Sequence, residues 1–101
     1  MKWKRKKPEI ADGKADYFFA GKCNATRGVC DAIPELEIIA IAQDVNAAAG
    51  KSGGIDYLQQ YEHQESGVVI WVMDQVTRSA LKAGDHPPEH NYFTILFPSE
   101  Y

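Results

Sequence analysis

The clearest pattern of apolar and polar positions lies in the middle of the chain and is helical. Apolar side chains recur there at steps of three and four residues, at Ile38, Ile41, Ala42, Val45 and Ala49. This spacing places them on one face of an amphipathic helix that packs on a sheet. Pro34 and Glu35 are typical of a first helical turn, and Gly50 is typical of a C-terminal cap. Ile39 falls outside the stripe, so the predicted helix is apolar over more than one face.

Strand patterns lie on both sides of this helix. Residues 17–26 predict a first strand, with a bend or bulge at Gly21. Residues 57–63 alternate in polarity, and residues 68–74 are apolar on both faces. The turn Glu65-Ser66-Gly67 joins these two runs, so they predict a hairpin whose second arm is a central strand.

Residues 92–97 predict the last strand, and we expect Tyr101 to pack against the sheet or a partner subunit. Residues 75–83 indicate a helical turn or an irregular segment, and two prolines within residues 84–91 predict a loop. The order is therefore β-α-β-β-β, with one main helix on a mostly antiparallel sheet, which is an α+β two-layer domain. A chain of 101 residues suffices for one core. We predict a single domain over residues 9–101, preceded by a basic, flexible head at residues 1–8.

Charge is unevenly distributed along the chain, whose net charge is −3. A basic head on an acidic body is typical of an arm that contacts nucleic-acid phosphates, but a solvated tail that improves solubility explains the same pattern. Trp3 indicates that part of the head packs on the domain or stacks on a base. The candidate nucleic-acid contacts are Lys2, Lys4, Arg5, Lys6 and Lys7.

The chain has no apolar run near the ~18–20 residues that span a bilayer. The basic start is not followed by the apolar stretch of a secretory signal, so we expect a cytoplasmic protein with no membrane association. In a reducing cytosol Cys23 and Cys30 are expected to be free, largely buried thiols with a structural role. Their spacing leaves a disulfide open and is wider than that of most metal-binding pairs.

Three histidines and nearby carboxylates are candidate metal ligands. His86 and His90 lie close together in the segment Asp85-His86-Pro87-Pro88-Glu89-His90, and His63 lies elsewhere. Histidine and carboxylate side chains are common metal ligands. The two prolines break the helix on which such a pair usually chelates, so a rigid polar surface loop is the competing interpretation. We predict no cofactor.

A second candidate site surrounds the end of the apolar strand. Asp74, with Arg78 four residues on, could contact a ligand or act as a general base, although such a residue often caps a turn or pairs with arginine. Trp71 is a further candidate contact. Tyr57, Tyr61 and Tyr92 predict an outer aromatic face that could stack bases, but cross-strand packing explains them equally well. The usual hydrolase and nucleotide-binding signatures are absent from the sequence.

Three segments resemble a family of short bacterial proteins of unknown function. Thr26-Arg27-Gly28-Val29 before Ile33-Pro34-Glu35 resembles the family's opening T-x-G-V and L-P-E motifs. Glu62 to Asp74, with Gly67 and Trp71, resembles its E-x-x-G-x-x-x-x-W-K-I-D segment, and residues 93–101 resemble its closing L-T-I-M-x-x-E-Y. The resemblance covers about residues 21–101. It implies a bacterial accessory protein, often encoded on plasmids or other mobile DNA, and it assigns no catalytic residue.

These observations favour a non-enzymatic binding or interaction module that acts as a homo-oligomer, with a twofold dimer preferred. The surplus apolar surface of the helix and the small size of the domain are the reasons. Two alternatives stay open. One is a nucleic-acid-associated factor that uses the basic head, and the other is a small metal-dependent enzyme or ligand-binding protein at the His/Asp loop.

Overall fold

A computed structural model of the chain describes residues 1–84 and 86–101. Its strands are β1 (Trp3–Arg5), β2 (Lys22–Ala25), β3 (Leu58–His63), β4 (Val69–Asp74) and β5 (Tyr92–Leu96). Its α-helices are α1 (Arg27–Ala32), α2 (Glu35–Ser52) and α3 (Arg78–Ala83). Two short 3-10 turns, Pro88–His90 and Pro98–Glu100, flank the last strand.

The five strands form one mixed sheet in the order β1-β3-β4-β5-β2. All neighbours pair antiparallel except β2 and β5, which run parallel. The predicted α+β class and the succession β-α-β-β-β are confirmed from β2 onwards. The hairpin of β3 and β4 forms as predicted, with Gly67 at a positive φ of 75° in its turn.

Helix α2 covers one face of the sheet and forms the core with it. Ile41, Val45 and Ala49 on the predicted stripe are fully buried. They belong to one cluster with inward-facing side chains of the strands, among them Tyr61, Ile70, Val72, Phe93 and Ile95. Because successive side chains of a strand point to opposite faces, the alternate positions form a second face, which we call the open face. Its apolar members are Leu58, Val69, Trp71, Met73 and Leu96.

The ends of α2 differ from the sequence prediction. The helix continues through Gly50 and ends at Ser52, and Gly53 is the residue that adopts the left-handed conformation, with a φ of 75°. A glycine stops a helix only where the chain must turn away, and here the turn comes three residues later. An additional short helix, α1, precedes α2, and the Thr26 side chain caps it by accepting the Val29 N–H.

The basic head is part of the domain rather than a flexible appendage. Residues 3–5 form β1, which pairs with β3 at one edge of the sheet. Trp3 is buried, and its Nε1–H donates to Glu37 Oε1 on α2 at 2.8 Å. Arg5 donates to Asp12 and to Gln59. Burial of the Trp3 indole and pairing of the Arg5 guanidinium with Asp12 therefore hold this charged segment on the domain.

Two other segments also differ from expectation. The first predicted strand is shortened to four residues, because Phe19 takes a positive φ of 51° and the chain before Lys22 is irregular. The segment after β4 contains α3, capped by the Thr77 side chain, and the proline-containing loop contains a 3-10 turn rather than no regular structure. Among the described residues, no helix has the length and apolar character needed to cross a membrane.

Candidate functional site

Asp74 and Arg78 lie close together, but each is engaged in holding the fold. The Asp74 carboxylate is buried at the end of β4 and accepts the backbone N–H groups of Phe19 and Gln75, each at 2.9 Å. Arg78 lies 3.5 Å from the centre of the Phe18 ring instead of pairing with Asp74. The cavity that both residues line has a volume of about 40 Å³. It is therefore far smaller than a typical ligand pocket of ~300–1,000 Å³.

Burial raises the pKa of the Asp74 carboxyl above its ordinary value of 3.8, and backbone hydrogen bonds, including those from Phe19 and Gln75, oppose the rise. The carboxylate joins the end of β4 to the irregular segment that carries Phe19. Because both its oxygens accept backbone N–H groups, the geometry assigns Asp74 to loop positioning rather than to proton transfer.

The predicted aromatic face of Tyr57, Tyr61 and Tyr92 does not form. Tyr61 points into the core, is fully buried and donates its hydroxyl to Asp44 Oδ2 at 2.6 Å. Burial first, and then the hydrogen bond to Asp44, raises the pKa of Tyr61 well above its ordinary value. Tyr57 precedes β3 and lies 6.1 Å from Tyr17, measured between ring centres. Trp71 lies on the open face, so the candidate ligand contacts are divided between two sides of the sheet.

The three histidines are also separated. His86 and His90 have ring centres 6.3 Å apart and line a cavity of about 260 Å³ together with Tyr92. His63 lies at the other end of the sheet, 5.0 Å from the Trp3 ring, and its Nδ1 accepts N–H groups of the hairpin turn. Residues 1–84 and 86–101 contain no group of three or more metal-ligating side chains. Asp85, the remaining member of the predicted loop, lies outside the described residues.

A groove of about 640 Å³ lies between the edge strand β2, α1 and α2. Both cysteines line it, and both are free and exposed, which corrects the expectation of buried thiols. Partial desolvation by the groove walls, and then the neighbouring Cys30, raise the pKa of the Cys23 thiol. A raised pKa disfavours the Cys23 thiolate, which is the reactive form of a cysteine side chain.

The outer surface of α2 carries an apolar stripe that the core does not use. Leu36 is 81% exposed and Ile39 is 44% exposed. Gln43, Ala47 and Gly50 continue the line at helical spacing, and all three are exposed. The position of Ile39 in the sequence, outside the buried stripe, already indicated this outer apolar stripe. Leu36 was not among the predicted site residues, although the same three- and four-residue steps would have found it.

The open face combines aromatic, apolar and basic side chains in rows across the strands. Trp71 lies at the centre, opposite Gln60 on β3 and Leu96 on β5. Lys6 extends this row on the β1 side, where its backbone N–H donates to the Gln60 carbonyl oxygen at 2.8 Å. A second row contains Leu58, Met73, Thr94 and Asn24. At the β2 edge, Lys22 lies beside Tyr92.

Tyr101 lies against the open face, as expected for an ordered last segment. Its ring is edge-on to Trp71, with ring centres 5.7 Å apart, yet it is 80% exposed. Glu100 fixes this segment by accepting the Thr26 hydroxyl and the Phe97 N–H, each at 2.8 Å. The two aromatic rings therefore form an accessible pair near the middle of the sheet.

A search of known proteins gave no match for this chain among family models, curated proteins or solved structures. The resemblance to a family of short bacterial proteins therefore stays a prediction. The outer stripe of α2 and the open face are two accessible surfaces with apolar side chains in line.

Proposed function

We propose that the protein is a non-enzymatic binding module that acts as a homodimer, with α2 of one copy packed antiparallel against α2 of a second copy. The observation that carries the proposal is the exposed stripe with Leu36 and Ile39 on a helix whose other face is already buried. Exposed apolar side chains in line on one element are typical of an interaction surface. A second copy is the occupant we infer, because the stripe is complementary to itself.

The stripe is complementary to itself in side-chain size. An antiparallel pair centred on Gln43 places Leu36 opposite Gly50 of the second copy and Ile39 opposite Ala47. Each large side chain thus meets a small one, and a twofold axis repeats both contacts. Apart from its chain neighbours and the backbone of its own helix, no atom lies within 4 Å of the position that a Cβ on Gly50 would occupy, so there is room for the partner's leucine.

Charge supports the same arrangement. The first turn of α2 carries Glu35 and Glu37, and its last turn carries Lys51. An antiparallel pair brings the acidic end of each helix to the basic end of the other, which is favourable electrostatically. A helix of 18 residues is about 27 Å long and about 10 Å wide. Its footprint of roughly 270 Å² is small against the ~800 Å² per partner of a standard interface, so the adjoining groove must also be covered and the dimer is expected to be weak.

Sedimentation equilibrium over a range of protein concentrations tests the dimer. We expect a concentration-dependent mass that reaches the dimer value in the tens of micromolar, and a monomer for Leu36→Glu and Ile39→Glu. Ile10→Glu is the matched control, because Ile10 is 45% exposed but lies outside α2. A monomeric unmodified protein at these concentrations, or equal dimerisation of Leu36→Glu and the control, would contradict the proposal.

The predicted register can be tested separately. Gly50→Leu fits the isolated chain, because the space around Gly50 is open. The new leucine would meet Leu36 of the second copy, so this variant should weaken the dimer. The double variant Leu36→Ala/Gly50→Leu exchanges the large and small partners and should restore it. Restoration is expected only if these two positions face each other.

The proposal assigns no reaction. Three of the polar groups that the sequence offered as site residues, Asp74, Tyr61 and His63, are each held by hydrogen bonds within the fold. We place the module in the cytoplasm of a bacterium as an accessory protein, on the strength of the sequence and the family resemblance alone.

A further inference from the structure

We propose that the open face of the sheet binds single-stranded RNA, with Trp71, Tyr101 and Tyr92 as stacking surfaces. This inference goes beyond the proposed dimer and uses the opposite side of the molecule from α2. Trp71 is half-buried at the centre of the face, and the exposed ring of Tyr101 lies beside it. Tyr92 lies on the same face near the β2 edge. Unstacked bases bind such rings on sheet surfaces.

Basic side chains border this face on both sides. Lys4 and Lys6 lie at the β1 edge and Lys22 at the β2 edge, and all three are exposed. Among the described residues, none of the three takes part in a salt bridge, whereas Lys2 and Arg5 do. Glu62, opposite Lys4, is the acidic member of the strand positions on this face. The strand positions of this face, together with Lys6, thus carry three lysines against one glutamate, although the whole chain has a net charge of −3.

The two layers of the molecule therefore differ in charge. Helix α2 carries Glu35, Glu37 and Asp44 against Lys51. A polyanion is attracted to the lysines of the open face and repelled by the acidic side chains of α2. The lysine edges are separated by four strand spacings, or about 19 Å, and the aromatic rings lie between them. A nucleic-acid strand that crosses the sheet can place bases on the rings and phosphates at both edges.

A second copy of the chain fits this face less well. Because both edges are basic, face-to-face packing around a twofold axis that runs parallel or perpendicular to the strands brings the lysines of one copy towards those of the other. Like charges in that position oppose association. RNA phosphates can neutralise the lysines of both edges at once. This charge complementarity favours RNA over a second copy of the chain as the ligand of the open face.

Polar side chains beside the rings favour RNA over DNA as the ligand. Gln60, Thr94 and Asn24 point to this face. Within the described part of the chain their side chains have no hydrogen-bond partner, in contrast to Gln59 on the core side, whose amide donates to the Asp56 carbonyl oxygen. Amide and hydroxyl groups can donate to and accept from a ribose 2′-hydroxyl, which DNA lacks.

Fluorescence anisotropy with a labelled oligouridine tests the proposal, with the matching oligodeoxyuridine and an RNA duplex of equal length as comparisons. We expect tightest binding to the single-stranded RNA, weakened by salt. Trp3 is buried, so quenching of tryptophan fluorescence on binding reports on Trp71. Equal affinity for the duplex would overturn the stacking surface, and equal affinity for the DNA would overturn the assignment to RNA.

Two sets of variants locate the site. Tyr101→Ala should reduce affinity about tenfold, in the range measured for base–aromatic contacts, whereas Tyr57→Ala, an exposed tyrosine off this face, should leave it unchanged. Lys6→Gln and Lys22→Gln should each lower the slope of log affinity against log salt by about 0.7. Lys14→Gln, also exposed, is the control.

The outcomes separate this inference from the dimer. Leu36→Glu should remain able to bind RNA, because α2 lies on the other layer, so a failed dimer prediction leaves this one standing. Absence of binding at low salt, or unchanged affinity of Tyr101→Ala, would overturn the RNA site. A loss of dimer mass in Tyr101→Ala would instead identify the open face as an interface between two copies.

Discussion

The buried carboxylate of Asp74 gives a sharp test of how a side chain holds an irregular segment in place. Its two oxygens accept two different backbone donors, Phe19 N–H and Gln75 N–H, at 2.9 Å each. Asparagine at this position has the same shape but only one acceptor oxygen. Asp74→Asn must therefore leave one N–H without its partner and opposite an amide donor.

The expected loss of stability depends on which of the two backbone N–H groups, that of Phe19 or that of Gln75, loses its acceptor. The Phe19 N–H is buried, whereas the Gln75 N–H is only partly buried and can reach water. The asparagine oxygen is therefore expected to keep Phe19. An unsatisfied buried donor costs about 1–3 kcal/mol, and loss of the more accessible one should cost about 1 kcal/mol in free energy of unfolding. Asp74→Ala abandons both donors and should cost about 2–4 kcal/mol.

Urea denaturation followed by circular dichroism measures these differences. Asp56→Asn is the matched control, because Asp56 is also 5% exposed but accepts one backbone N–H, that of Tyr57. Its asparagine keeps that bond and should cost less than about 0.5 kcal/mol. Equal losses for the two asparagine variants, or an Asp74→Asn protein as stable as the unmodified one, would refute the reasoning.

The pH dependence of the stability difference between the unmodified protein and Asp74→Asn tests the direction of the pKa shift of Asp74. Burial raises the pKa of Asp74 in the folded state above the ordinary value of 3.8, so the folded protein binds this proton more tightly than the unfolded chain. Stability contributed by the group therefore increases as the pH falls from neutral through the folded pKa towards 3.8. The stability advantage of the unmodified protein over Asp74→Asn should widen in that window. A narrowing gap would show that the carboxylate is favoured, rather than penalised, by its surroundings.

The remaining predictions concern backbone conformation and one ion pair, and urea denaturation measures all of them. Gly50→Ala should stabilise α2 by about 0.5–1 kcal/mol, because the helix position is open. Gly54→Ala should cost more than about 3 kcal/mol, because this residue has a φ of +115° and its Cβ would lie 2.2 Å from the Ala15 carbonyl oxygen. Equal free energies of unfolding for the Gly50→Ala and Gly54→Ala variants would contradict both predictions. The hydrogen bond from Arg5 lowers the pKa of Asp12 below 3.8. Asp12→Asn should therefore cost about 0.5–1 kcal/mol at neutral pH, and this cost should shrink as the pH falls below 3.8 through the folded pKa of Asp12. A cost that does not change as the pH falls would show that the loss is not that of the ion pair.

Local periodicity made the main elements predictable. The stripe of Ile41, Val45 and Ala49 identifies the face of α2 that enters the core, because helical spacing depends only on the chain itself. The run of residues 68–74, apolar on both faces, likewise predicts a central strand. These patterns predict the α+β class. The position of Ile39, outside the buried stripe, indicates a second apolar surface on the helix.

The site residues were less predictable, because a strand's register decides which face each residue joins. Tyr57 and Tyr61 look alike in the sequence, yet pairing with β4 turns Tyr61 into the core. The same pairing leaves Trp71 on the open face. One residue of shift would exchange the two faces, and nothing within the strand itself excludes that shift.

The sequence by itself determined the helix, the hairpin, the last strand and the polarity of the first residues, since each depends on neighbours along the chain. Only the tertiary structure decided that the basic segment becomes an edge strand and that β2 pairs in parallel with β5. It alone placed Tyr101 against Trp71 and Lys22 beside Tyr92. Those contacts join residues far apart in the chain, and they form because burial and backbone pairing are satisfied together across the whole sheet.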